Sequence, residues 1–140
     1  MVKRDAIDWA GAAAPGLEDF DLIARDAFAE LPEDFRRLCE GVVIRVEDFP
    51  DDETLDEMDC ETEFDLLGLF RGRGLAQGAA SMQTGEFPNM IWLYRRPILD
   101  FWAQQEETLG AVVTHVLVHE IGHHFGLSDE DMEAIEASAR

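Results

Sequence analysis

Basic residues are scarce in this chain: 11 lysines and arginines stand against 31 acids, for a formal net charge of −20 at pH 7. A surface of that sign repels nucleic acid and anionic membrane, which sets polyanionic partners aside and favours solubility. Long apolar runs are missing as well. None approaches the ~18 residues needed to cross a bilayer, and the N-terminus mixes charge with small residues in place of a secretory apolar core. A soluble cytoplasmic protein is the expectation. Cysteine is limited to Cys39 and Cys60, which form no C-x-x-C pair and are too few for a disulfide framework, as suits a reducing compartment. Gly68, Gly72, Gly74 and Gly78 match neither G-x-x-x-x-G-K-[ST] nor a strand-anchored G-x-G-x-x-G, so a flexible rim or turn is expected there and a phosphate cradle is not.

What is present is acid, and much of it lies together. Between Glu47 and Asp65, 11 of 19 residues are acidic and no Lys or Arg appears. A calcium loop would need Asp/Asn-rich spacing about a central glycine, which is absent. A solvated loop and short helix, with Leu55 and Met58 turned inward, is the expected form. Arg71, Arg73, Arg95 and Arg96 stand out in so acidic a chain; they either hold a substrate carboxylate or pair with the acidic run.

At 140 residues and 46% hydrophobic content, the chain suits one folded domain over 1–140, with 1–15 as a flexible N-terminal segment. Apolar residues at Phe20, Ile23, Ala24, Ala27, Phe28 and Leu31 predict an amphipathic helix from about Leu17 to Phe35, disturbed at its end by Pro32. Val42, Ile44 and Val46 alternate with polar or outward neighbours as a half-buried strand does. Leu66 to Phe70 and Met90 to Tyr94 are two further short strands, and Pro97 can sit in the first turn of the next helix. A helix from near Glu106 or Thr108 to Phe125 should bury Leu109, Val112, Val113, Val116, Leu117 and Ile121, and a terminal helix follows from Ser128. The fold class is therefore α+β, a short β-sheet packed on helices.

The fourth helix pattern carries the chemistry. His119-Glu120-Ile121-Gly122-His123 continues through Gly126 to Asp129, reading H-E-x-x-H-x-x-G-x-x-D. Residues at i and i+4 lie about 40° apart around a helix and roughly 6 Å apart along it, so His119 and His123 can reach one ion. Glu120, about 100° around from His119, cannot easily be a ligand but can reach a water held by the metal as a general base. Catalytic zinc takes three protein ligands, and a left-handed helix exit at Gly126 would present Asp129 as the third. A second reading competes: Ser128 and Asp131 resemble a capping box, which would leave Asp129 a first-turn acid favoured by the helix dipole. His115, about 12 Å along the axis from His123, is too far to share an ion centred on His119. A supporting polar role suits it, and packing or solvation suits His124. Glu130, Glu133 and Glu136 would require the terminal helix to double back differently. Tyr94, the only tyrosine, is either an oxyanion donor or a packed strand residue.

The chain resembles the small bacterial zincin-like family of minimal metallopeptidases. Three passages carry the resemblance: Leu66-Leu67-Gly68-Leu69-Phe70-Arg71-Gly72, Ile91-Trp92-Leu93-Tyr94-Arg95-Arg96-Pro97-Ile98-Leu99, and the motif from His119 to Asp129. It spans most of residues 16–140 and implies a zincin core, Zn2+ on His119, His123 and Asp129, Glu120 as catalytic base, and a peptide or protein substrate. The motif also resembles that of metzincins, but their methionine turn has no counterpart in the 11 residues after Asp129. Two other function classes remain: a zinc-binding module with little or no catalysis, and a metal-dependent ribonuclease, which the net charge and the lack of a basic stripe oppose.

Overall fold

The computed structural model, which describes residues 7–72 and 88–139, divides the first amphipathic stretch at Pro32. Helix α1 spans Leu17–Ala29 and α2 spans Glu33–Leu38, where the periodicity alone predicts one helix to Phe35. Proline has no N–H and disfavours helical backbone in the residue before it, so the chain turns at Leu31-Pro32. The Pro32 carbonyl then accepts from the N–H groups of Phe35 and Arg36, both at 3.0 Å, and starts α2.

Three strands follow: β1 (Val43–Glu47), β2 (Gly68–Arg71) and β3 (Met90–Tyr94). They form one sheet in the order β1-β3-β2, with β1 parallel and β2 antiparallel to β3. Ile44 is buried while Val43 and Arg45 are exposed, as the alternation predicts. Strand β3 is central, with Ile91 and Leu93 fully buried. Strand β2 starts two residues later than expected, although the Leu67 carbonyl still accepts from Tyr94 N–H at 3.0 Å.

The acidic run forms the short helix α3 (Asp52–Glu57), started by the Asp51 side chain accepting from Thr54 N–H. Leu55 is half-buried, but Met58 is exposed and does not turn inward as expected. It stands at the helix end, where the chain leaves the surface turn through Asp59 at φ 56°. Helix α4 (Arg95–Ala103) follows directly from β3, with Pro97 buried in its first turn.

Helix α5 (Leu109–His124) is the core element. Thr108 caps it by accepting from Ala111 N–H, and Leu109, Val112, Val113, Val116, Leu117 and Ile121 are buried as predicted. It packs against α1, α4, β2, β3 and the terminal helix α6 (Asp129–Ser138). Gly126, at φ +78°, reverses the chain between α5 and α6, a conformation that costs other L-residues about 1–2 kcal/mol. Gly122 lets α6 return closely: the fully buried Met132 lies where a side chain at 122 would stand. No helix among the described residues is long and apolar enough to cross a membrane. Arg73, Gly74 and Gly78 of the glycine-rich segment lie outside the described residues, as do the first six residues of the N-terminal segment.

Candidate metal centre

Three histidines line successive turns of α5. The His119 and His123 rings stand 5.5 Å apart, centroid to centroid, at 90°, while His115 and His119 lie 3.9 Å apart at 35°. His119 is partly buried and His123 exposed. Burial pushes His119 below the ordinary imidazole range; His115 and His123 push the same way and Glu136 opposes them. The neutral ring that this favours is the form that binds a metal.

Glu120, next to His119 on the same helix, has its side chain beside β2. The backbone of Gly68 comes so close that a Cβ there would stand 3.4 Å from Glu120 Cγ and 2.8 Å from Val116 Cγ1. Burial under the strand pushes the Glu120 carboxyl up to about 7.

Opposite the histidines, Asp129, Glu133 and Glu136 occupy one face of α6, at the i, i+4, i+7 spacing that stacks helix neighbours. Together with His115, His119 and Ala137 they line a depression of about 630 Å³. Asp129 is exposed on the first turn of α6, at the rim of this depression. The Ser128–Asp131 capping box is formed, with Ser128 Oγ accepting from Asp131 N–H at 3.1 Å. Asp129 therefore combines a first-turn place on the helix with a place beside the histidines.

The acid that meets His115 and His119 directly is Glu136. Its Oε2 lies 3.2 Å from His119 Nε2, and its two oxygens lie 3.1 and 3.2 Å from His115 Nδ1. Among the described residues, His115, His119 and Glu136 are the group whose potential ligand atoms all lie within 4.8 Å of one another. Sequence reasoning set Glu136 aside because the terminal helix would have to double back differently, and the Gly122–Met132 contact folds it back in that way. The available signal was the matched spacing of His115 to His119 on α5 and of Asp129, Glu133 and Glu136 on α6. Imidazole nitrogens and carboxylate oxygens are the donors zinc takes, so these side chains fit the ion that the motif implies.

The remaining candidates sort by packing. His124 lies against Phe70, ring centroids 4.5 Å apart, with its Nε2 buried and without a hydrogen-bond partner; burial pushes its pKa down. Tyr94 is buried at the end of β3, and burial pushes its phenol up to about 12. Its environment fits the packed reading. Arg71 pairs with Glu57, Arg95 donates to Asp48 at 2.8 Å and to the Pro15 carbonyl at 2.7 Å, and Arg96 lies over the Phe49 ring. Arg71 and Arg95 thus pair with the acidic run, and Arg73 lies outside the described residues.

The H-E-x-x-H histidine pair thus stands one turn apart on α5, which packs against β2 and β3 of a small mixed sheet. The family model for zincin-like metallopeptidases matches residues 39–139, and the chain belongs to that family. A search of curated proteins finds no match.

Proposed function

We propose that the protein is a zinc-dependent peptidase in which His119, His123 and Asp129 hold the metal and Glu120 is the general base. Bound by these side chains, zinc would supply a Lewis acid that acidifies water and polarises a carbonyl. Glu120 accepts the proton of the attacking water and passes it to the leaving amine. The observation that carries this reading is the place of Glu120, held between the histidine-bearing helix and β2. A purely structural zinc site requires no such carboxylate.

Strand β2, at the edge of the sheet among the described residues, offers backbone groups with which an extended peptide could pair. The substrate is accordingly a peptide or an unfolded stretch of protein. Cleavage profiling on a peptide library with added zinc tests the proposal. Glu120→Gln should retain the metal and lose cleavage; undiminished cleavage by that variant would refute the mechanism. A wild type that binds zinc but cleaves nothing would point to a binding module.

A further inference from the structure

We propose that His115, His119 and Glu136 form a second divalent-cation position, one helical turn from the His119–His123 pair. The two positions share His119, so one chain holds one ion between them. A zinc ion at the second position lies nearer the start of α5 and away from Glu120, and the protein then stores the metal in a non-catalytic seat.

The spacing of the three groups is the first argument. Ligand atoms about 2.0–2.2 Å from a tetrahedral zinc stand roughly 3.3–3.5 Å apart, whereas a charge-assisted N–H···O⁻ bond closes to about 2.7–2.9 Å. The contacts of Glu136 with His119 Nε2 and His115 Nδ1 are 3.1–3.2 Å, between the two, and all three ligand atoms lie within 4.8 Å of one another, so a small adjustment brings them onto one ion. Position is the second argument. The trio faces a solvent-connected depression of about 630 Å³, whose other walls include Asp129 and Glu133, so a cation has both a path and a favourable field. Rigidity is the third: Glu136 stands one turn beyond the fully buried Met132, whose seat against Gly122 fixes α6 on α5.

Equilibrium dialysis against Zn2+, followed by metal analysis, separates the two positions. His123→Ala removes the H-E-x-x-H pair and should still bind one zinc per chain. Adding His115→Asn or Glu136→Gln to that variant should weaken binding by about tenfold or more. Failure of His123→Ala to bind zinc would overturn the proposal, as would double variants that bind as tightly as His123→Ala. His123 is exposed and the His115 side chain is 45% exposed, so these changes spare the core, and circular dichroism of the metal-free variants verifies folding. The readout is a metal count, which keeps its outcome separate from that of the cleavage test on Glu120→Gln.

Discussion

Gly68 faces Val116 and Glu120 across the β2–α5 interface, and the absence of a side chain at 68 is what lets the strand come this close to Val116. A Cβ there would stand 2.9 Å from the Trp92 carbonyl oxygen and 2.8 Å from Val116 Cγ1, as well as 3.4 Å from Glu120 Cγ. The carbonyl belongs to the central strand and has little room to yield. Gly68→Ala should therefore destabilise the fold by about 1–3 kcal/mol through overpacking. Peptide cleavage should fall with it, because relieving the clash with Val116 shifts β2 relative to the helix that carries Glu120. Denaturant unfolding and cleavage rate, measured on the same preparation, check both parts.

The first turn of α6 separates capping from metal binding. Ser128 Oγ accepts from Asp131 N–H, so Ser128→Ala should cost about 0.5–2 kcal/mol of stability and leave zinc affinity close to wild type. Asp129 makes no part of that cap. In a His115→Asn background, which removes the second seat, Asp129→Ala should weaken zinc binding by at least about tenfold with a smaller change in stability. If dialysis shows equal zinc affinity with and without Asp129→Ala in that background, the first-turn acid reading of Asp129 is the correct one.

Helix α5 was legible in the sequence because its signals agree: Thr108 caps it, apolar residues recur at helical spacing, and the histidines share its period. Strand β3 was legible for a related reason, as a short apolar and aromatic run ending at Arg95-Arg96-Pro97. Glu136 was not, since its approach to His119 depends on how closely α6 packs, and that closeness rests on Gly122 meeting Met132 ten residues later. Local periodicity carries no such distance. The break at Pro32 was partly legible, but a helix restarting at once under the proline's own carbonyl needs the tertiary seat of Phe35 in the core.

Met132 should thus be a stability residue with a functional readout. Met132→Ala removes a fully buried side chain from between α5 and α6 and should cost about 2–5 kcal/mol. Zinc affinity should fall too, since α6 carries Asp129 and Glu136 to the histidines. Urea unfolding of the metal-free protein measures the first effect and zinc dialysis the second. A variant as stable as wild type would mean that α6 is not anchored through this contact.

Stability should fall in alkali before the protein's arginines lose charge. Burial pushes the Cys39 thiol from 9.0 up to about 11, and burial, followed by the negative charges of Glu47 and Asp51, pushes Tyr94 from 10.0 up to about 12. Both groups ionise more readily in the unfolded chain than in the folded one, so the unfolded state sheds protons first as pH rises. The stabilisation is complete below about pH 9 and drains between pH 9 and 11 for Cys39 and between 10 and 12 for Tyr94. At about 1.36 kcal/mol per pKa unit, each is worth up to about 2–3 kcal/mol. Cys39→Ala should be somewhat less stable at pH 8 because it leaves a small cavity. Between pH 9 and 10 its unfolding free energy should decline less steeply than that of the wild type. Equal slopes for the two proteins in that interval would show that Cys39 ionises as easily in the folded state as in the unfolded one.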